Sequence, residues 1–147
     1  MKKILLMLSL ASAAVIGHAE IVVKDAWVRA TVPQQKATGA FMQIQSSRDV
    51  SLVEVQSGAA GIAEVHEMKM ENNVMKMRAL SQLNIEAGKT VELKPGSFHI
   101  MLMDLKTQAK AGETLPLTLI FEGKDKKREM IEVKAVIKGM STTEGKM

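Results

Sequence analysis

Hydrophobic and polar positions alternate with a period of two along most of this chain, the pattern of half-buried β-strands. Residues 21–30 mix β-branched side chains with Trp27 and predict a first strand, closed by Pro33 and the polar Gln34-Gln35-Lys36 run. In 39–45, Ala40, Met42 and Ile44 alternate against Phe41, Gln43 and Gln45. A short strand is predicted at 50–55, then a turn through Gly58 and Gly61. Leu83 with Ile85, and Val91 with Leu93, flank a turn at 86–89. Pro95 and Gly96 make a tight turn before 98–105. There Phe98, Ile100 and Leu102 share one face, and His99, Met101 and Met103 the other. Leu115, Leu117, Leu119 and Phe121 alternate next, with Pro116 predicting an edge position or a bulge. Ile131, Val133, Ala135 and Ile137 line the last strand. Eight or nine short strands without an amphipathic helix predict an antiparallel β-sandwich or Greek-key barrel in a single domain.

The segment between 62 and 80 is the most informative. Asn72-Asn73 separates two strand-like runs, and asparagine tolerates the positive φ that a two-residue type I′ turn requires at both positions. With that turn, Met70 pairs with Met75, Met68 with Met77, and His66 falls opposite Ala79. Strand alternation then puts His66, Met68, Met70, Met75 and Met77 on one face. Val65, Glu67, Lys69, Lys76 and Arg78 occupy the other. The expectation is a half-buried hairpin with a sulfur-rich face.

Composition narrows the function. The 147 residues are 46% hydrophobic and only 3% aromatic, so aliphatic side chains and methionine fill the core. Met1-Lys2-Lys3, an apolar run over 4–16 and the small-x-small Gly17-His18-Ala19 predict a secretory leader cut after Ala19. The mature domain is then 20–138, with a short polar tail at 139–147. The apolar run is too short for a stable membrane span. The paired lysines, without a twin arginine, indicate the general secretory (Sec) route to the periplasm. Without Lys2 and Lys3, 18 basic residues face 16 acidic ones. That balance, with so few aromatics, excludes a nucleic-acid partner. No cysteine occurs, so neither a lipoprotein anchor nor a blue-copper thiolate site is expected.

Both histidines of the mature chain, His66 and His99, fall in the methionine-rich region. Imidazole with thioether is a donor set for a soft ion and favours Cu(I) over zinc, magnesium or calcium. Methionine also supplies sulfur that does not form disulfides in an oxidising compartment. His66, Met77, His99 and Met101 form the candidate first shell. Met68, Met70, Met75 and Met103, taken singly, read as flexible core filler. No nucleophile–base set or further histidine cluster suggests an enzyme.

The spacing His66-x10-Met77-x21-His99-x-Met101 resembles the signature of the PCuAC family of periplasmic copper chaperones. Ala26-Trp27-Val28-Arg29 with Pro33, Val74-Met75-Lys76-Met77-Arg78, Leu93-Lys94-Pro95-Gly96, His99-Ile100-Met101-Leu102-Met103 and Leu115-Pro116-Leu117-Thr118-Leu119 extend the likeness across the mature chain. The resemblance implies a cupredoxin-like β-sandwich that binds Cu(I) through His66, Met77, His99 and Met101. It further implies delivery to an apo copper acceptor such as subunit II of cytochrome c oxidase, in some relatives alongside a Sco-type protein. Some relatives take a second copper ion on a tail rich in His and Met. Here 139–147 holds Met140 and Met147 but no histidine, so that site is not expected. The alternative with the same ligands is a copper-sequestering tolerance protein. A metal-free adhesion domain is the remaining reading.

Overall fold

The computed structural model describes residues 20–139; the predicted leader, and the predicted tail beyond Gly139, lie outside the described residues. The described chain is all β: β1 (Ile21–Arg29), β2 (Ala37–Ser46), β3 (Val50–Gln56), β4 (Ala60–Glu71), β5 (Val74–Leu80), β6 (Leu83–Ile85), β7 (Thr90–Leu93), β8 (His99–Leu105), β9 (Thr114–Gly123) and β10 (Arg128–Lys138). Hydrogen bonds link them in the order β5-β4-β8-β2-β1-β10-β9-β3-β6, with β7 added to β2. This folded sheet closes over one core in the expected sandwich. The expectation of purely antiparallel pairing needs one correction. β1 and β10 run parallel through Trp27↔Val136, Val28↔Ile137 and Arg29↔Lys138.

Alternating positions supply the core. Val28, Ala40, Met42, Ile44, Val65, Ile100 and Leu102 on one side meet Leu52, Ile85, Leu117, Leu119, Phe121, Ala135 and Ile137 on the other. Pro116 pairs with Lys134 on β10 but lies past the last β3–β9 partner, Gln56↔Thr118. The strand is therefore interior, yet its proline sits where no neighbour needs its missing N–H.

A bulge in β1 decides what the outer face of the β5-β4-β8-β2 region carries. Between Lys24↔Gln43 and Trp27↔Phe41, β1 holds one residue more than β2, and Asp25 adopts φ 55°. The extra residue shifts the alternation. Ile21 and Val23 face the core before it, Ala26 and Val28 after it. Trp27 is thereby turned outward onto Phe41, with ring centroids 4.5 Å apart. Strict alternation from Ile21 would have buried it.

Candidate metal centre

The β4–β5 hairpin has the expected register. Met70↔Met75, Met68↔Met77 and His66↔Ala79 face each other across the strands, and Asn72 and Asn73 turn the chain with φ 50° and 63°. Its core contact is narrower than expected, because Val65 is buried whereas Met70, Met75 and Met77 are 59, 45 and 48% exposed. The outer end of the hairpin projects past the sandwich. Its far face is closed by ion pairs, Arg78–Glu67 at 3.0 Å and Lys76–Glu71 at 3.5 Å.

On its other edge β4 pairs with β8, which brings the two histidines together. His66 is the register partner of His99, and Glu64 of Met101. The imidazole centroids stand 5.8 Å apart. Phe41 continues the row at 6.3 Å from His99. Gly39 lies opposite Met101 on β2. A Cβ there would come within 2.9 Å of the Phe41 ring, so the bare glycine leaves room for that ring beside the histidines. Arg29 and Lys138 lie over Phe41 and Trp27 at 5.6 and 5.7 Å, forming a cationic rim.

The hydrogen bonds fix which ring nitrogens are free. His66 Nε2 lies 2.8 Å from Glu64 Oε2. A carboxylate only accepts, so in the neutral imidazole Nε2 carries the proton and Nδ1 keeps the lone pair. That Nδ1 is buried and has no hydrogen-bond partner. His99 Nδ1 lies 3.1 Å from the Ser97 carbonyl and donates to it, which leaves Nε2 as its lone pair. His99 is itself buried, at 7% exposure. A carboxylate or carbonyl holding the back of each imidazole is the usual support of a metal-binding histidine. Sequence reasoning missed Glu64 and Ser97. Each lies two residues before its histidine, Glu64 on the same face of β4 and Ser97 in the turn before β8, and that offset was the available signal.

The thioethers are less evenly placed. Met101 shares the histidines' face, one step along β8 from His99. Met77 lies on β5, diagonal to His66, with Met68 between it and β8. Met103 is one step further from the histidine row, opposite Ile62. Proximity along the strands thus favours Met101 and leaves Met68 and Met77 as neighbours on one side of the row. Only the spacing pattern ranks Met77 above Met68. Among the described residues no group of three or more His, Cys, Asp or Glu side chains is arranged to hold a metal. A polar groove of about 370 Å³ lined by Asp49, Ser51, Asn84, Glu122 and Lys124 lies at the other end of the strand order and has no part in this arrangement.

A family model described as "Putative lipoprotein LpqE-like" matches residues 21–136. The chain belongs to the LpqE-like family. That membership puts it outside the cytoplasm, and among the described residues no helix is long and apolar enough to cross a membrane. The chain is 36% identical over 100 residues to "Putative lipoprotein Lxx21020" of Leifsonia xyli subsp. xyli, covering 67% of this chain and 60% of that protein. It spans about three-fifths of the length of the curated relatives it matches. Its fold is that of the copper-bound PCuAC domain from PmoF2 (TM-score 0.66, 18% identity, 84% of this chain and 100% of that one). It also matches CuI-DR1885 from Deinococcus radiodurans (TM-score 0.59, 30% identity, 80% of this chain and 76% of that one). The PCuAC relationship read from the spacing is therefore present in family and fold.

Proposed function

We propose that this protein is an extracytoplasmic copper chaperone that holds Cu(I) at the His66–His99 pair, with Met101 and Met77 completing the donor set. One observation carries the reading. Two paired imidazoles each have one nitrogen engaged from behind, and the free nitrogen of His66 is buried without a partner. A buried acceptor without a partner is unfavourable by about 1–3 kcal/mol, and a bound ion would satisfy it. Flanking thioethers tune the site to a soft monovalent ion. Copper in the PmoF2 and DR1885 structures supports the same cargo. The family's lipoprotein description agrees with a place outside the cytoplasm. This sequence has no cysteine to lipidate, so a periplasmic protein released from a Sec leader is the form we infer.

Delivery fits the ligand chemistry better than storage. Neutral thioethers hold Cu(I) less firmly than thiolates, so an acceptor bearing cysteines draws the ion away by ligand exchange without a change of oxidation state. The acceptor we infer is an apo copper centre, with cytochrome c oxidase subunit II or a Sco-type thiol protein as the first to try. Neither hydrolytic nor redox catalysis is part of this proposal.

The test is a Cu(I) competition titration followed by transfer. His99→Ala and Met101→Ala should each weaken binding by about tenfold or more, the scale of lost metal-site groups, while Met103→Leu changes it little. Comparing Met77→Leu with Met68→Leu settles which hairpin thioether is the ligand. Cu(I)-loaded protein is then mixed with an apo dithiol acceptor, and metal is measured in both after separation. Copper retained against an acceptor of higher affinity would overturn delivery in favour of sequestration.

A further inference from the structure

Three methionines of the hairpin remain outside the His66–His99 site: Met68, Met70 and Met75. A two-residue turn at Asn72-Asn73 makes Glu71↔Val74 the hydrogen-bonded pair next to it. Pair types then alternate, so Met70↔Met75 and Met68↔Met77 are both non-hydrogen-bonded pairs. Side chains come closest in such pairs, with Cβ atoms roughly 4.5–5.5 Å apart. The two pairs stack on one face, one step apart, and the next step on that face of β4 is His66. Methionine's flexible arm lets sulfurs on such a ladder converge.

Burial does not explain Met70 and Met75, although Met68 is half-buried. Met70, Met75 and Met77 are about half exposed at the projecting end of the hairpin. Five of the exposed large apolar side chains among the described residues lie on β4 and β5, three of them the methionines of this face, while Val74 is on the opposite one. The cations Lys76 and Arg78 lie on its opposite face and are tied to Glu71 and Glu67. The sulfur face thus carries no cation to repel an incoming monovalent ion, and the charged group on it is the Glu64 carboxylate beside His66.

We infer that Met70, Met75 and Met68 form a second, weaker site for Cu(I), a landing place from which the ion passes through Met77 to the histidines. Each step exchanges one neutral thioether for the next. The ion stays Cu(I), no proton leaves a ligand, and no electron moves. The inference rests on the proposed copper cargo, but the landing site itself needs neither histidine.

The experiment uses Ag(I), a redox-stable stand-in for Cu(I), and protein labelled at its methionine methyl carbons. In the His66→Ala/His99→Ala variant, adding Ag(I) should still shift the methyls of Met68, Met70 and Met75. Adding Met70→Leu and Met75→Leu to that background should remove the remaining shift. If the hairpin methyls stay in place in the histidine-free protein, the site does not exist. With the histidines present, Met70→Leu/Met75→Leu should leave the final Cu(I) affinity within about threefold yet slow loading from a Cu(I)–bicinchoninate complex about tenfold. Leucine keeps the apolar area and removes only the sulfur. An unchanged loading rate would therefore overturn the landing role and make the patch an apolar docking surface. Hairpin binding that survives while the wild-type histidines fail to respond to metal would refute the main site and leave this one standing.

Discussion

His66→Leu should stabilise the metal-free protein and abolish the gain that metal gives. The His66 side chain is 12% exposed and its Nδ1 is buried without a partner. Removing such an acceptor recovers roughly 1–3 kcal/mol. Against this stands the lost hydrogen bond to Glu64, whose side chain is 44% exposed. Solvent screening limits that loss to under about 1 kcal/mol. The expected net is about 1 kcal/mol in favour of the variant, or a rise of roughly 3–5 °C in the melting midpoint of a domain this size. Metal reverses the order. At a hundredfold excess over the dissociation constant, wild type gains about 2.7 kcal/mol by mass action, whereas the variant gains far less. The assay is a pair of thermal melts by circular dichroism, one with chelator and one with Ag(I) or Cu(I). A chelated variant melting well below wild type would refute the account, because His66 would then be a residue the apo fold needs.

The remaining predictions concern the scaffold. The core cluster is apolar and complete without a metal, so the apo protein should fold, and Leu102→Ala, at a fully buried position, should destabilise it by about 2–5 kcal/mol in urea melts. Asn73→Gly should stabilise the hairpin by a few tenths of a kcal/mol, read as slower amide exchange in β5, since glycine takes the φ of 63° without a Cβ clash. Asp49 meets the Lys124 ammonium at 2.8 Å and accepts a 2.8 Å hydrogen bond from the Ala87 amide, and these, Lys124 foremost, hold its carboxyl below the usual 3.8. A lowered folded pKa gives stability that is present above the ordinary value and lost as pH falls through the lowered one. Protection of the Ala87 amide should therefore fall on acidification below about pH 4, and Asp49→Asn should remove that dependence.

Much of the fold could be read from local pattern because the pattern is local in cause. The Asn72-Asn73 turn leaves one register open, and every pair from Glu71↔Val74 to Val65↔Leu80 follows from it. The alternation from Phe98 to Leu105 likewise sorts Ile100 and Leu102 into the core and His99, Met101 and Met103 onto the outer face. Trp27 shows where such reading stops. One extra residue near Asp25 inverts the faces of β1, and nothing in the alternation of 21–30 announces it. The parallel β1–β10 pair was hidden for a different reason. It joins opposite ends of the described chain, so no turn between them sets it.

The candidate site was legible as a list of donors but not as an arrangement. His66 and His99 face each other only because β4 and β8 are neighbours, although β5, β6 and β7 intervene in sequence. The donor list also could not say which nitrogen of each ring is free. Glu64 and the Ser97 carbonyl decide that, and they hold different atoms, Nε2 on His66 and Nδ1 on His99. The difference matters for the cargo. Glu64 is exposed enough for its partner to be lost or gained with conditions, whereas the Ser97 carbonyl is part of the backbone before β8. His99 is therefore the fixed half of the pair and His66 the adjustable half. Glu64→Gln keeps a hydrogen-bond acceptor behind His66 but replaces a carboxylate by a neutral amide. It should weaken copper by about tenfold, the usual effect of losing such a support, and leave the His99 side unchanged. Nitrogen-15 spectra of the two imidazoles, taken apo and loaded with Ag(I), would resolve this. Ag(I) should change both rings, whereas the Glu64→Gln substitution itself should change the nitrogens of His66 alone; equal effects of the substitution at both rings would mean that the two histidines are held alike.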